Sequence, residues 1–378
     1  MKTATTPIPA SRAAASSVDH CLQIFEPAQA GVPAYVANLA AGLIDRGWRV
    51  SVIAPGDNSA MDDLRRCGAQ IVPMPIAPLP APSDVAVLRA AARVCAIGAC
   101  VIHGHSTKAS LLAALASRLT RVPSVYSPHF WAFERPSHRL TRAAMAAFER
   151  RMSRTHRQIV AVSESERAEA ERTGIRAPVE VVPTGLPDDG SAPARAAARA
   201  SLGLAADAAV ALWVGRRAPQ KRPGDLALIA AKLRERGVHL VAIGYGLSGS
   251  PEGDALRSAG GRVVEGFEPA TLYAAADVLV QTSAWESTSI AVLEAMRAGL
   301  PVVAYRAGGI SDQVSPGVTG YLVPIGAVDE LTSLIVRTVS EPGLRAAFGE
   351  AARSRYDTMF SFNKMVDSIE AIYRSVTR

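Results

Sequence analysis

Two glutamates, Glu286 and Glu294, lie eight residues apart in the last third of this 378-residue chain. Residues 277–281 (DVLVQ) predict a strand just before them, and a helix is predicted to begin after Glu286 and to contain Glu294. Eight residues at 3.6 per turn rotate the second carboxylate by about 80° and carry it about 12 Å along the axis. A carboxylate at the end of a strand lies where open α/β sheets bind ligands. We therefore expect both glutamates to contact one extended ligand, of the size of a nucleotide sugar.

Two cations follow an earlier predicted strand at residues 209–214. Arg216 and Lys221 are five residues apart on the loop after it. An arginine can bind a diphosphate with two parallel hydrogen bonds, and a lysine acts as a compact point charge. The alternative is a basic surface loop, because Arg217 and Arg222 are adjacent. We favour a diphosphate site.

Backbone groups extend this predicted anion site. The amides of Thr288, Ser289 and Ile290 at the start of the helix after Glu286 are expected to be unpaired and to favour an anion. Gly31, on the first loop of the chain, would let the backbone approach phosphates closely. All four residues are predicted to bind the same ligand.

Histidines lie at the ends of two predicted strands. His129 follows the strand at residues 124–127, and its alternative role is that of a loop histidine bonded to the backbone. His103 and His105 could suit a metal, but no acidic or cysteine partner is near them in sequence. We interpret them as cleft-lining or structural residues and expect no metal.

The order of predicted elements indicates the architecture. Strands and helices alternate through residues 18–188 and again through residues 189–355, which predicts two parallel α/β sheets with a ligand cleft between their strand ends. A linker is predicted at residues 187–200. The chain length also favours two domains. Residues 1–17 are expected to form a disordered tail, and residues 356–378 are assigned to a C-terminal helical segment.

Four segments, in order, resemble one known family. Residues 286–294 resemble the E-x7-E signature of retaining family 4 glycosyltransferases, which have the B-type fold of two facing Rossmann-like domains. Residues 215–222 (GRRAPQKR) are similar to the family's G-R-x-x-x-x-K-R segment, and residues 126–129 (YSPH) to its T-P-H strand end. Similar matches occur at residues 31–33 (GVP) and 179–185 (VEVVPTG).

The resemblance implies a role for each candidate residue. Arg216 and Lys221 would stabilise a departing nucleoside diphosphate without a metal, Glu286 would accept hydrogen bonds from hydroxyls of the donor sugar, and Glu294 would hold the ribose. His129 would face the transferred sugar. The last helix would cross back to the N-terminal domain. Residues 287–289 (STS) stand where the family often has Gly-Phe-Gly, so the donor sugar stays open.

The function implied is that of a metal-independent, retaining glycosyltransferase with no cofactor. Its donor would be a nucleoside-diphosphate sugar, and its acceptor, bound by the N-terminal domain, a lipid-linked saccharide of cell-surface polysaccharide or glycolipid synthesis. A sugar-nucleotide epimerase of the same fold is the first alternative. A nicotinamide-dependent oxidoreductase is the second, because residues 244–249 (GYGLSG) nearly match a dinucleotide fingerprint. The delayed helix after this segment argues against it.

Charge and hydropathy place the protein in a compartment. Residues 135–157 hold seven arginines and one glutamate, a net charge of +6, which is nearly the whole formal charge of +7. With an apolar stripe, this segment could lie on anionic lipid; the alternative is a surface helix whose stripe packs on its own domain. No nucleic-acid module is evident. The four cysteines lack metal or redox spacing, so we expect buried free thiols and a cytoplasmic location. The basic segment, where it lies on lipid, would add peripheral contact with the inner face of the membrane.

Overall fold

The computed structural model describes residues 19–29, 31–134, 138–188, 193–266 and 269–378. The predicted disordered tail at residues 1–17 lies outside the described residues. So do Arg135, at the start of the basic segment, and the proposed domain boundary at residue 189.

The first half of the chain forms a seven-stranded parallel sheet in the order β3-β2-β1-β4-β5-β6-β7. Its strands are β1 (His20–Phe25), β2 (Arg49–Ala54), β3 (Gln70–Pro73), β4 (Val101–His105), β5 (Ser124–Ser127), β6 (Gln158–Ala161) and β7 (Val179–Val181). The helices between them are α1 (Gly31–Asp45), α2 (Met61–Arg66), α3 (Ser83–Ala96), α4 (Thr107–Thr120), α5 (Arg139–Ser153) and α6 (Glu164–Thr173). Serine side chains cap two of these helices: Ser106 accepts from the amide of Ala109, and Ser163 from that of Glu166.

The second half repeats the pattern with a six-stranded parallel sheet in the order β10-β9-β8-β11-β12-β13. Its strands are β8 (Ala209–Val214), β9 (Val238–Ile243), β10 (Arg262–Val264), β11 (Val278–Gln281), β12 (Val302–Tyr305) and β13 (Gly320–Val323). Its helices are α7 (Arg195–Ser201), α8 (Asp225–Arg234), α9 (Pro251–Ser258), α10 (Pro269–Ala275), α11 (Ile290–Arg297), α12 (Ile310–Gln313), α13 (Val328–Ser340) and α14 (Pro342–Met359).

Both sheets reverse their strand order at one place, between β1 and β4 in the first and between β8 and β11 in the second. The central strands are buried, whereas the edge strands β3, β7 and β10 are partly exposed. A crevice forms where the strand order reverses, outside the carboxyl ends of the strands, and this is where such sheets bind ligands. The predicted class, two Rossmann-like α/β domains, is confirmed.

The C-terminal helices divide between the two sheets. Helix α14 packs against α11 of the second sheet, whereas the following helix, α15 (Phe362–Thr377), packs against α1 of the first. The apolar face of α15, including Val366 and Ile369, is part of the core beneath α1. A bridge between Leu186 and Ser361 joins the two chain segments at the crossover.

The structure differs from the sequence-based expectation at two places. The predicted linker at residues 187–200 contains the start of helix α7, which is fixed by ion pairs from Arg195 and Arg199 to the buried Asp277. Since Asp277 lies 78 residues from Arg199, no local pattern could reveal this contact. The cysteines are all free, but only Cys21 is buried. The expectation of burial is wrong for the others, which are partly exposed: Cys67 and Cys95 lie at the ends of α2 and α3, and Cys100 directly precedes β4.

Helix α5 carries most of the basic segment. One of its faces is exposed, and the opposite face packs on the protein. Leu140 is 74% exposed and Phe148 38%, and the alanines of the predicted stripe at 143, 144 and 147 are exposed beside them. Only Met152 of the stripe packs inward. The alternative of a surface helix whose stripe packs on its own domain therefore holds for Met152 but not for the other residues of the stripe. Glu149 anchors the opposite face of α5 to the sheet.

The anchoring carboxylate of Glu149 is fully buried and accepts hydrogen bonds from Thr107 Oγ1 (2.5 Å) and Tyr126 Oη (3.1 Å). Burial raises its pKa to about 7. Because the folded-state pKa exceeds the ordinary value near 4.5, the folded state holds this proton more tightly than the unfolded chain. The stabilisation is complete below about pH 4.5 and is lost as the pH rises through 7.

We expect Glu149→Gln, which keeps the shape but cannot ionise, to stabilise the protein relative to wild type at pH 8 by roughly 2 kcal/mol more than at pH 4.5. Urea unfolding at both pH values measures the difference. Glu350→Gln, at an exposed glutamate of α14, is the control. A variant whose stability follows that of wild type at both pH values contradicts the account.

Candidate functional site

Two loops at the carboxyl edge of the second sheet form the centre of the site. They follow the neighbouring strands β8 and β11, on either side of the point where the strand order reverses. The first loop ends in a 3₁₀ turn, Pro219–Lys221. The second, which we call the donor loop, comprises residues 282–289 and leads into α11. The amide of Ala284 donates to the carbonyl of Gln220 (2.8 Å), and Thr282 Oγ1 donates to that of Lys221 (2.6 Å). The two loops therefore form one unit.

Glu286 is the most enclosed charged group of this unit, with only 8% of its surface exposed. Lys221 Nζ donates to Oε1 at 2.5 Å, and Ser283 Oγ donates to the same oxygen at 2.9 Å. Gln220 Nε2 donates to Oε2 at 3.2 Å. The structure thus brings together two residues predicted independently, Glu286 and Lys221, as a buried ion pair. Since an ammonium has three donor hydrogens, Lys221 can hold a phosphate oxygen while keeping this contact.

Arg216 lies at the exposed rim of the same unit. Its Nη2 donates to Gln220 Oε1 at 3.0 Å, so the amide of Gln220 joins Arg216 to Glu286. Sequence reasoning missed Gln220. The available signal was its place directly before Lys221 between the two predicted cations. Both cations lie beside one carboxylate, which is an arrangement suited to a ligand with a diphosphate at one end and hydroxyls at the other.

The start of α11 differs from the prediction at Ser289. Its amide donates to Gln313 Oε1 (3.0 Å), and its hydroxyl accepts from Gln281 Nε2 (2.9 Å). The expectation of an unpaired amide at Ser289 is therefore wrong, because this residue stands at the N-cap position of α11 and its amide is directed at Gln313 of α12. Ser289 is buried and supports the site. Anion binding by the amides of Thr288 and Ile290 stays a prediction.

Glu294 lies on the first turns of α11 and is half-buried. Its Oε2 accepts a hydrogen bond from Tyr273 Oη at 2.7 Å. Burial, with the nearby charge of Glu294, raises the pKa of Tyr273 well above its usual value, so the phenol keeps its proton and stays a donor. The contact holds the carboxylate of Glu294 in place on α11, the helix into which the donor loop leads.

The donor loop touches the first sheet directly. Ser287 Oγ donates to the carbonyl of His129 at 2.9 Å, and Thr288 Oγ1 donates to that of Val162 at 3.3 Å. Gly309 packs so closely under this loop that a Cβ there would lie 1.7 Å from the carbonyl oxygen of Ser287. Only glycine fits, and it sets the height of the loop in the crevice.

His129 therefore lies at the crevice, as the sequence predicts. Its φ of +55° is the left-handed conformation that non-glycine residues rarely adopt. Its Nε2 lies 3.0 Å from Nδ1 of His105, so its side chain contacts another ring and not the backbone. Burial lowers the pKa of His129 to about 3, and the ring is neutral. His103 and His105 are completely buried, so they are structural and do not line the cleft.

Gly31 is the first residue of α1 and faces the second sheet. A Cβ built there would lie 3.8 Å from Ile290 Cγ1, which is an ordinary contact, and the φ of Gly31 is not left-handed. The structure places the start of α1 opposite the start of α11 across the crevice. Close approach of phosphates to Gly31 stays a prediction.

Two alternative chemistries can be compared with this geometry. Among the residues that the structure describes, no three histidine, cysteine or acidic side chains are grouped so that they could hold a metal ion. In the segment that resembles a dinucleotide fingerprint, β9 ends at Ile243 and α9 begins only at Pro251. The predicted delay of the helix is confirmed, and no helix N-terminus follows the glycines directly to receive a pyrophosphate.

No helix in the described parts of the chain is long and apolar enough to cross a membrane.

Comparison with known proteins assigns both halves of the chain. A family model described as "Glycosyl transferase 4-like domain" matches residues 30–185, and one described as "Glycosyl transferases group 1" matches residues 194–355. The D-inositol 3-phosphate glycosyltransferase of Kribbella flavida is 36% identical over 220 residues, covering 53% of this chain and 52% of the relative. The match to this relative thus spans about half of its length.

Longer matches agree with this assignment. A relative of the same name from Actinosynnema mirum is 34% identical over 303 residues, which cover 72% of each chain. The crystal structure of Anabaena HepE in complex with UDP-glucose superposes with a TM-score of 0.81 and 22% identity, over 94% of this chain and 99% of that one. At 22% identity, the likeness to HepE shows that the two proteins share a fold and no more.

Proposed function

The chain belongs to the family 4 glycosyltransferases, and from that premise we propose that it moves a sugar from a nucleoside-diphosphate sugar to an acceptor hydroxyl. The observation that carries the proposal is the buried ion pair between Lys221 and Glu286 at the point where the strand order of the second sheet reverses. It places a phosphate-binding cation and a hydroxyl-binding carboxylate side by side. A nucleotide sugar presents a phosphate and sugar hydroxyls that these two groups can bind.

The reaction is proposed to retain the configuration of the sugar. The bond from the anomeric carbon to the phosphate oxygen breaks, and a bond to the acceptor oxygen forms on the same face. The acceptor proton passes to the departing phosphate. Arg216 and Lys221 stabilise the negative charge that develops on the diphosphate, which is the same electrostatic effect that oxyanion-hole donors provide. Glu286 accepts hydrogen bonds from sugar hydroxyls, and Glu294 does so from the ribose.

The two cations replace a metal in this proposal. Both lie next to the expected diphosphate, whereas the two glutamates of the site are already engaged: Glu286 by Lys221 and Gln220, and Glu294 by Tyr273. The base is proposed to be uracil first, because the HepE complex contains UDP-glucose. Which sugar is transferred is a question for a donor screen.

The acceptor is proposed to be lipid-linked, in the synthesis of a cell-surface polysaccharide or glycolipid. The support is the outer face of α5, where the exposed stripe with Leu140 and Phe148 is flanked by exposed arginines. Glu149 does not offset this charge at the surface, since it is buried on the opposite face. The arginines attract an anionic leaflet, and the short stripe gives shallow burial. The protein would then dock reversibly, with its acceptor side towards the membrane.

A donor screen with matched variants tests the activity. We expect release of nucleotide from one or a few UDP- or GDP-sugars, and transfer when lipid-linked acceptors are supplied. Lys221→Ala and Arg216→Ala should each lower kcat/KM by an amount equivalent to about 2–4 kcal/mol, or roughly 30-fold to 1000-fold. Arg217→Ala is the matched control, because its neighbouring side chain is turned away to Glu252.

EDTA is expected to leave the rate unchanged. Inhibition by EDTA that Mg²⁺ or Mn²⁺ reverses would contradict the role of the two cations. Epimerisation of the sugar nucleotide without transfer to any acceptor would identify the epimerase alternative, and equal loss in the Arg217 control would remove the assignment of Arg216.

Membrane docking predicts a dependence on charge and salt. Changing Arg142, Arg151 and Arg154 to glutamine removes three charges, each worth about 1 kcal/mol near an anionic leaflet, so partitioning to anionic liposomes should fall about 100-fold. Co-sedimentation at low and high salt measures it. The control changes the three exposed arginines Arg65, Arg66 and Arg118, which lie on α2 and α4.

Equal binding of wild type to neutral and anionic liposomes, or equal loss in the two triple variants, contradicts docking through α5. A soluble acceptor such as an inositol phosphate, which the names of the relatives suggest, would then be the better hypothesis.

A further inference from the structure

A continuous chain of hydrogen bonds runs from the crevice to the C-terminal helix beneath the first sheet. His129 Nε2 lies 3.0 Å from His105 Nδ1, and His105 Nε2 lies 2.7 Å from Gln23 Oε1. Gln23 Nε2 lies 2.8 Å from the hydroxyl of Tyr373, on α15. The same hydroxyl is 2.6 Å from His103 Nδ1, whose Nε2 lies 2.9 Å from Ser127 Oγ.

The hydrogen bonds of this chain all donate in the same direction, from His129 towards Ser127. Gln23 presents its carbonyl to His105, so Nε2 of His105 carries the proton and its Nδ1 must accept. The proton between the two histidines therefore belongs to Nε2 of His129. On the other side, the amide of Gln23 donates to Tyr373, which leaves the phenol proton to be donated to His103. His105, Tyr373 and His103 each donate once and accept once, while the amide of Gln23 also makes a second, longer contact to Cys21 Sγ at 3.4 Å.

The consequence for His129 is a fixed tautomer. With its proton on Nε2, the other ring nitrogen, Nδ1, has a lone pair and can only accept. The ring is also held mechanically: its centroid is 5.2 Å from that of His105 and 4.6 Å from that of Tyr35, while Ser287 binds its carbonyl. The ring is thus fixed in position and in the nitrogen that it can offer.

We propose that Tyr373 and Gln23 are positioning residues of the transfer site, which act through His105 to hold His129 as a hydrogen-bond acceptor for a hydroxyl of the transferred sugar. The inference rests on the proposed function for the identity of that hydroxyl. The chain of hydrogen bonds stands without it. Neither Tyr373 nor Gln23 touches the substrate.

The burial of these groups agrees with such a chain. His103, His105, Gln23 and Tyr373 have no exposed surface, and burial lowers the pKa of both histidines well below the ordinary value. The rings of His103 and His105 have centroids 4.0 Å apart, so two charged imidazoles there would repel each other. A neutral chain with ordered protons is the arrangement that leaves each of these buried groups paired.

The position of Tyr373 explains a feature of the fold. Helix α15 follows the second sheet in sequence but buries its apolar face in the first, and Tyr373 is the residue through which it reaches the site. Docking of α15 therefore both closes the core beneath α1 and completes the chain to His129.

Nitrogen-15 NMR of histidine-labelled protein without substrate tests the tautomer. The chain has seven histidines, and His129→Gln assigns the relevant signal. We expect His129 in the wild type to be neutral with its proton on Nε2. In Tyr373→Phe, Gln23 loses its shorter hydrogen bond and keeps only the 3.4 Å contact to Cys21 Sγ, so its amide can rotate and a population protonated on Nδ1 should appear. Tyr356→Phe is the matched control, since it removes the hydroxyl of another buried tyrosine, which donates to the carbonyl of Leu186.

Kinetics supply the second measurement. Tyr373→Phe is expected to lower kcat about threefold to tenfold, the effect of one hydrogen bond, while KM for the donor changes less than about twofold. Tyr356→Phe should leave kcat near that of wild type even where its melting temperature falls as much. Wild-type His129 protonated on Nδ1, or a tautomer and kcat in Tyr373→Phe equal to those in the control, would overturn the proposal.

The proposed function and the chain of hydrogen bonds can be refuted separately. A wild-type enzyme that turns over no nucleotide sugar refutes the proposed function, and the NMR measurement on the same protein still decides the chain. An active enzyme whose His129 has the opposite tautomer refutes the chain alone.

Discussion

The buried ion pair between Lys221 and Glu286 joins the two loops from which the rest of the site is built. Removing one partner of such a pair typically costs about 3–5 kcal/mol, because the other charge stays buried without compensation. Here the carboxylate has two further donors, Ser283 and Gln220, and the second of these links it to Arg216. The pair places the group predicted to bind the diphosphate beside the group predicted to bind the sugar. Gly309 lets the donor loop lie close above it in the crevice.

The donor loop also contributes to the contact between the two halves of the protein. The hydroxyls of Ser287 and Thr288 donate to the carbonyls of His129 and Val162, which follow strands of the first sheet. At these positions the resembling family often has glycine and phenylalanine, which have no hydroxyl to donate. In this chain the loop that carries Glu286 thus also holds the backbone of His129, while α15 holds its ring through Tyr373. One histidine is fixed from both halves of the protein, which is how a site assembled from two domains can be ordered before its ligand binds.

Sequence predicted those parts of the site that depend on strand ends. Glu286, Lys221 and Arg216 follow strands of the second sheet, and His129 follows a strand of the first. A parallel sheet brings its strand ends to one edge, and the two edges meet at the crevice. Contacts between distant segments were not predictable in this way. Tyr373 meets Gln23 across 350 residues, and the amide of Ser289 finds its partner in the next helix. Helix α7 depends on a buried aspartate 78 residues further along the chain. In each case the partner is chosen by tertiary packing, for which a local pattern gives no signal.

Calorimetric titration with a nucleoside diphosphate and with its sugar form tests most directly whether one ion pair serves both ends of one donor. Glu286→Gln keeps the shape of the carboxylate and should weaken binding of the sugar nucleotide about tenfold or more, while binding of the diphosphate stays within about threefold or becomes tighter. Lys221→Met should weaken binding of both ligands. The account is contradicted if Glu286→Gln leaves the affinity for the sugar nucleotide unchanged, or if Lys221→Met leaves the affinity for the diphosphate unchanged.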